Sequence, residues 1–466
     1  MIDNLEDFNV KHYDIILVGG GITNIICALQ LANANKTVCL IEQGNPIKTR
    51  ICPKVKTGKC INCQSCQITT GFGGAGFCSD CKLTYTHEVG GDLVDYIDKD
   101  TFYKLQQSVS DIFTMFGAAE TYVYNEDFAN KFQYECSKYG MKLLKYPVRH
   151  LGTDGARGVM EDIWKYLNNA SNIEIRCNTK VTDIDFTNKY IKIERGIHTS
   201  VFSADYISIA VGRHGSEWLS NLCKEQNIKV SAGSVDIGVR VECPRSVTDK
   251  VTNNLYDMKI VYNGATGNTC RTFCVNPGGE VVRENYDGNI ACVNGHALSD
   301  NKLFTTNFAI LVSCHFTEPF NSPIEYGKSI CKLSNMLSDG KPMVQRLVDL
   351  KAYKRSTADR IKKLIYTPTL AEAEPGDLRY VFPSRVIDSI LDFLEKLDNV
   401  IPGINNGQTI LYSPECKFSS AKIELNNKLQ TPNYKNIYFA GDSAGISRGI
   451  MQAAIAGLFI ANDILG

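Results

Sequence analysis

At 466 residues the chain is far longer than one small core needs, so two or three domains are expected. Lys+Arg and Asp+Glu are both 50, and a formal net charge of +0 supplies no electrostatic footprint for nucleic acid or for an anionic membrane. No apolar run approaches the roughly 20 residues of a membrane span, and the acidic start MIDNLEDFNV lacks the basic and apolar regions of a signal peptide, so a cytoplasmic protein is expected.

The first element pair is the most informative. An apolar run, Ile15–Val18, ends in Gly19, Gly20 and Gly21; a helical pattern follows (Ile22, Ile25, Ile26, Leu29), then a second apolar strand, Thr37–Ile41, closed by Glu42. This is a βαβ unit whose first turn lets backbone approach a pyrophosphate at a helix N-terminus. Glu42 lies 21 residues past Gly21 (42 − 21), close to the usual offset for a carboxylate that accepts adenosine ribose hydroxyls. A carboxylate disfavours a ribose 2′-phosphate, so FAD or NAD(H) is expected rather than NADP(H). Asn24 stands where the fingerprint has its third glycine, so helix and strand are expected to pack slightly less closely there.

Residues 51–91 hold the densest chemistry. Of 18 cysteines, six fall between Cys52 and Cys81, in a glycine-rich stretch without long apolar periodicity, so a structured loop is expected. Leaving the carboxyl end of the second strand, it should lie over the crevice where an α/β sheet holds its cofactor. Cys60, Cys63 and Cys66 form C-x2-C-x2-C and Cys52 precedes Pro53, a ligand supply for a [4Fe–4S] cluster. Alternatively Cys60, Cys63, Cys78 and Cys81 have nearly the spacing of a tetrahedral zinc site. A dithiol exchanging electrons with a flavin is a third reading, and plain reduced thiols a fourth. The glycines of GFGGAG (Gly71–Gly76) suit close approach of backbone N–H groups to phosphate or isoalloxazine, while Phe72 and Phe77 argue against a flexible linker.

Helical spacing predicts helices over Thr101–Gly117 and Asp127–Gly140, then a helix capped by Thr153 or Asp154. Short strands are expected at Ile173–Cys177, Val181–Phe186 and Tyr190–Glu194, then a buried strand at Ala204–Val211, an order that reads as the later half of a dinucleotide-binding domain with a three-stranded meander inserted. From about Val235 longer, alternating, glycine-punctuated runs predict an antiparallel-rich domain, with helices at Glu325–Leu337 and Ser384–Leu397. The chain ends in strand, turn and long apolar helix: Gly441-Asp442 closes the strand and the helix is expected from near Ile446–Arg448. In flavoproteins this geometry puts a carboxylate on the ribityl hydroxyls and a helix N-terminus at the flavin pyrimidine; a plain turn with an N-cap aspartate is the simpler alternative. Met451, Ile455 and Leu458 read as core.

With CPK…GKC..C..C, GFGGAG..SD.KLT, EVGG, YPVRHLGTD, VDIGVRVE, RTFC.NPGGEVV, VNGHA, NFA.LVS and FAGDSAG.SRGI.QA in place, the chain resembles, over nearly its whole length, the FAD-dependent dehydrogenases of largely unassigned substrate within the glutathione-reductase-like flavoprotein superfamily. The resemblance implies FAD in a GR-type domain and leaves the substrate open. Cys81 departs from it, standing where the family usually has glycine.

The expected fold class is therefore α/β: a GR-type Rossmann-like FAD-binding domain (1–235 and 405–466, with the Cys-rich loop 51–91) and an inserted antiparallel-rich α+β substrate domain, 236–404. The expected cofactor-binding residues are Gly19, Gly20, Gly21, Ile22, Thr23, Glu42, Gln43, Gly73, Gly74, Ala75, Val181, Gly212, Gly441, Asp442, Arg448, Gly449 and Ile450. Cys274 and His296, with Arg271 and Asn294 in the same shared motifs, are candidates to bind or protonate substrate, imidazole being the side-chain type suited to acid–base work near neutrality. Arg149 and His150 are candidates to hold an anionic group. The expected function is an FAD-dependent oxidoreductase moving hydride or electrons through the flavin. NAD(P)H as a transient donor, an electron-donor protein and a small-molecule substrate are its expected partners. A flavin-containing redox or metal sensor and a flavin-dependent RNA-modifying enzyme are the alternatives, the neutral charge arguing against nucleic acid.

Overall fold

The apolar run before the three glycines lies in the middle of a mixed sheet, between two parallel neighbours. The computed structural model describes residues 8–466 apart from 58–60, 62, 64, 80, 120, 121, 232, 265, 287–289, 298–301, 315, 317, 318 and 321. It divides by contacts into a first unit (1–120, 151–232 and 420–466) and a second (121–150 and 233–419).

In the first unit, β1 (Lys11–Val18) leads through α1 (Ile22–Leu31) to β2 (Val38–Ile41). After α2 (Lys99–Met115) and α3 (Gly152–Asn169) come β3 (Ile173–Arg176), β4 (Lys180–Asp185), β5 (Tyr190–Arg195), β6 (His198–Ile209) and α4 (Ser216–Glu225). The unit closes with β7 (Ile437–Phe439) and α5 (Ile450–Leu465). The sheet order is β3-β2-β1-β6-β5-β4, with β7 beside β6. β1 runs parallel to β2 (Ile15 opposite Val38) and to β6 (Val18 opposite Ile209). A meander of β4, β5 and β6 is antiparallel, and the far end of β6 takes β7 in parallel. Burial on both faces explains the unbroken apolar runs of β1 and β2, rather than alternating ones.

Helices α1 and α5 pack face to face. A Cβ on Gly457 would stand 1.9 Å from the Thr23 carbonyl oxygen, so this crossing admits glycine and no larger residue. Ile25 and Ile26 of α1 and Ile455 and Ile460 of α5 are fully buried here, each stabilising the fold by about 1.5–3 kcal/mol. Met451 and Leu458 are buried too, as their spacing suggests. α5 starts at Ile450, later than expected, because a single short turn, Asp442–Ala444, and the segment to Gly449 intervene. α3 begins at Gly152 without a side-chain cap; the Thr153 hydroxyl, expected as a cap, donates instead to the Ser79 carbonyl.

The second unit is built on long antiparallel strands. Val235–Pro244 lies between Thr305–Cys314 and Ile410–Phe418, and Thr269–Asn276 flanks Thr305–Cys314. Helices Pro323–Leu337 and Ser384–Asp398 and a separate hairpin, Glu280–Tyr286 with Ile290–His296, complete its main elements. The unit boundaries differ from those drawn on the sequence. Residues 121–150 lie in the second unit because Met141–Leu143 pairs antiparallel with Ile260–Asn263, a pairing that local patterning does not encode. Among the described residues, no helix is long and apolar enough to cross a membrane.

Candidate functional site

The site is assembled in the first unit from two helix starts and the loop between β2 and α2. Helix α1 begins after Gly21 and α5 after Gly449, both without a side-chain cap or an acid in the first turn. Each therefore presents first-turn N–H groups that the helix itself cannot satisfy, at the positive end of its dipole. Gly73 N–H donates to the Gly20 carbonyl (2.9 Å), and Gly74 lies against Gly21, where an added Cβ would stand 3.2 Å from the Gly21 Cα. Farther along the same loop, an added Cβ on Gly76 would meet Ile450 at 2.7 Å. Gly90 accepts from the N–H groups of both Arg448 and Gly449, and Arg448 pairs with Asp92 at 3.4 Å. Gly441, left-handed at φ 75°, faces Thr23. Glycine is thus required where three backbones approach, and the expected residues Gly19–Thr23, Gly73–Ala75, Gly441–Asp442 and Arg448–Ile450 come together.

Three side chains hold this arrangement. The buried Glu42 carboxylate accepts from Gly20 N–H (2.7 Å) through one oxygen and from Gly44 (2.7 Å) and Gly71 (3.1 Å) through the other. It therefore ties the first turn to the next loop. Gln452 donates to the His87, Val89 and Gly91 carbonyls and accepts from Leu93 N–H. Arg50, buried and missed by sequence reasoning, donates to the carbonyls of Gln67, Ile68, Gly71 and Phe72. Burial lowers its pKa, opposed by the nearby Cys78, Glu42 and Cys66. Its signal was weak: a single arginine among cysteines has no motif.

Asp442 does not stand alone. Arg213 donates to one of its oxygens through Nε (3.1 Å) and Nη2 (3.0 Å), and the Ser420 hydroxyl to the other (3.3 Å). Gly212, left-handed at φ 65°, delivers Arg213 there. Val181, by contrast, lies in the core cluster on β4, and Gln43 follows Glu42 at the end of β2. FAD fits this cradle: the hydroxyls of Ser443 and Ser447, beside Asp442 and before α5, are buried without a hydrogen-bond partner among the described residues. Together with two uncapped helix starts they supply donors for an anionic, oxygen-rich ligand.

The cysteine loop gives a metal centre no support. Among the described residues, no group of three or more His, Cys, Asp or Glu side chains is placed to hold a metal ion. Cys60, common to the iron–sulfur and zinc sets, lies outside the described residues; Cys52, Cys63 and Cys66 are half-buried. Cys78 points its thiol at the Gln67 carbonyl (3.8 Å); burial raises its pKa, against the nearby Arg50. Cys81 is wholly buried in the core and left-handed at φ 47°. The backbone there has the shape that glycine adopts most easily, and nothing in the structure explains the cysteine in its place.

The substrate candidates lie in the second unit. Arg149 is buried with its guanidinium 5.8 Å from the Tyr122 ring, and His150 stacks on Tyr256 at 4.5 Å. His296 pairs across its hairpin with Glu280 at 3.0 Å, and Arg271 is engaged by Asp236. Cys274, half-exposed and left-handed at φ 48°, sits at a bulge. Its carbonyl accepts from Arg240 and Asn276. Arg240 is fully buried, forked onto Glu415 (2.7 and 2.8 Å), and also donates to Asn307 and Asn294. None of Arg240, Glu415 or Asn307 was picked from the sequence, since each sits inside an ordinary strand pattern. A cavity of about 330 Å³ lies beside Phe304 and Tyr366 in the second unit, and one of about 290 Å³ beside Gln30 and Leu458 in the first.

Residues 234–418 match the family described as "FAD-dependent protein, C-terminal domain-like". An uncharacterised protein of Clostridium beijerinckii is 25% identical over 97% of this chain and 80% of its own length. Solved structures that resemble it include glycine oxidase from Geobacillus kaustophilus (TM-score 0.41, 11% identity, 98% of this chain and 95% of that one). Another is p-nitrophenol 4-monooxygenase PnpA from Pseudomonas putida DLL-E4 (TM-score 0.39, 10% identity, 98% and 80%). With the glycine turn and Glu42, the family match supports an FAD-dependent oxidoreductase. No substrate comes with that class.

Proposed function

We propose that the first unit binds FAD in the GR-type manner, with the pyrophosphate at the start of α1 and the flavin toward the start of α5, and that the protein passes hydride or electrons between a small-molecule substrate and a donor or acceptor. The observation that carries this reading is the meeting of the two uncapped, glycine-led helix starts around Gly73–Gly76. Bound FAD supplies the redox chemistry itself. The chain's part is to bind and orient: α1 and Gly19–Gly21 offer N–H groups to an anion, and Glu42 holds the glycine loop in place. At the other end the start of α5 favours negative charge, and Arg213 fixes the Asp442 carboxylate. Substrate is proposed to meet groups of the second unit, with His296 and its partner Glu280 handling a proton and Cys274 held at a set position by Arg240.

The test is to purify the protein anaerobically, record its visible spectrum, identify released flavin by chromatography and assay iron and zinc. Flavin absorbance, FAD on release and reduction with turnover by NADH, NADPH or a ferredoxin-type donor are expected. A colourless, nucleotide-free folded protein overturns the reading; a bound flavin that no donor reduces replaces it with a sensor. Stoichiometric iron or zinc would mean a metal centre that the described residues do not assemble.

A further inference from the structure

Three thiols that the proposed chemistry does not use meet inside the second unit. Cys292 lies on the strand Ile290–His296, Cys331 on the helix Pro323–Leu337 and Cys416 on the strand Ile410–Phe418, and all three are buried. Cys331 Sγ is 3.6 Å from Cys292 Sγ and 3.1 Å from Cys416 Sγ. The helix cannot drift from this register: Asn335, one turn on, donates to the Ala291 carbonyl (2.9 Å) and accepts from Ala291 N–H (2.8 Å). On its other side, the Ser334 hydroxyl is 3.4 Å from that of Ser413.

From this geometry we propose that Cys331 and Cys416 are a redox-active pair that hydrogen peroxide converts to a disulfide joining the helix to the strand, with Cys292 as an exchange partner. A disulfide needs its sulfurs at about 2.05 Å, so the pair must close by roughly 1 Å, within reach of side-chain rotation. The chemistry balances. One thiolate attacks a peroxide oxygen, giving a sulfenic acid and, with the thiol's proton, one water. The second thiol attacks the sulfenic sulfur; the S–S bond forms, the S–O bond breaks and the second water leaves. Two thiols lose two electrons and two protons, and peroxide takes up both. Cys292 can then attack at Cys331, releasing Cys416 as a thiol. Burial pushes the Cys292 thiol well above its ordinary pKa, so all of this runs slower than oxidation at half-exposed thiols such as Cys52.

The experiment treats the full-length, folded protein with hydrogen peroxide, alkylates the remaining thiols under denaturing conditions and maps unreduced peptides by mass. The expected product is a Cys331–Cys416 peptide pair lighter by two hydrogens, together with a melting temperature higher by roughly 3–8 °C that dithiothreitol reverses. Cys292→Ala is expected to leave that link intact, and Cys416→Ala to move it to Cys292–Cys331. Recovery of Cys331 and Cys416 as alkylated thiols, after Cys52 and Cys66 have been oxidised, overturns the proposal. So does a link that forms only in denaturant. The wild-type map decides the matter even if a variant fails to fold.

Discussion

The Ser208 hydroxyl donates to the side-chain oxygen of Asn24 at 2.8 Å, inside the first unit. Asn24 returns two bonds through its nitrogen, to the carbonyls of Val18 (2.9 Å) and Gly19 (3.0 Å). The residue that replaces the third fingerprint glycine thus joins α1 to the ends of β1 and β6. Its amide is wholly buried and its hydrogen bonds are made, which is what makes a polar side chain tolerable there.

Restoring the glycine is therefore expected to harm the fold. Asn24→Gly removes the buried hydrogen bonds of this side chain and leaves the Ser208 hydroxyl without this acceptor, a loss of about 2–4 kcal/mol. Ser208→Ala alone should cost about 1 kcal/mol, and much less in the Asn24→Gly background. Urea unfolding of the four proteins in the cycle measures this; strict additivity would show that the pair is not coupled.

Glu42 serves three glycine N–H groups at once, and an amide in its place turns an NH2 group toward donors. Glu42→Gln should lose about 2–3 kcal/mol of stability and retain less flavin through gel filtration. Unchanged stability and flavin content would contradict the role assigned to this carboxylate.

In the second unit, Arg240 and Glu415 are both fully inaccessible to solvent and pair through two bonds. Arg240→Met strands a buried carboxylate and should cost about 3–5 kcal/mol, whereas Arg240→Met combined with Glu415→Leu should recover part of the loss. The same measurement at Cys274 is informative, because Arg240 holds its carbonyl. Alkylation of the Cys274 thiol should change rate in Arg240→Met and not in a surface variant of equal stability.

Two buried carboxyls of the second unit set opposite pH dependences. Burial raises the Glu242 pKa above its ordinary 4.5, and the bonds from Tyr412 and Thr369 offset this in part. Its contribution is present below the unfolded value and is lost as pH rises through the folded one. Burial also pushes Glu415 upward, but Arg240 and Lys417 outweigh it and hold the carboxyl below 4.5. Its contribution is present above the unfolded value and is lost as pH falls through the folded one. Relative to wild type, Glu242→Gln should therefore gain stability as pH rises from about 4 to 8, and Glu415→Gln should be most damaging at neutral pH. Denaturation midpoints across that range test both signs, and parallel curves for the two variants would refute the assignment.

Much of the first unit was legible from local pattern. An apolar run, three glycines, a helical stripe and an acid at the usual spacing describe β1, α1, β2 and Glu42 because each depends on neighbours a few residues away. The strands from Ile173 to Ile209 and the final helix were legible for the same reason, and so was the antiparallel character of the second unit. What the glycines contact was not: Gly457 against Thr23, Gly74 against Gly21 and Gly90 against Gly449 join distant parts of the chain. The same holds for the partners of single polar residues, Asn24 with Ser208 across 184 positions and Asp442 with Arg213 across 229.

The amino-acid order by itself determined the main elements and the glycine-led turn between β1 and α1, since these follow from periodicity and short-range backbone geometry. Tertiary structure alone decided that residues 121–150 join the second unit, that Cys81 is a core residue in a glycine-like conformation, and that Arg50 organises the cysteine loop. Those outcomes depend on which backbone groups are left unpaired once the sheets have closed. That is a property of the assembled chain and of no single stretch of it.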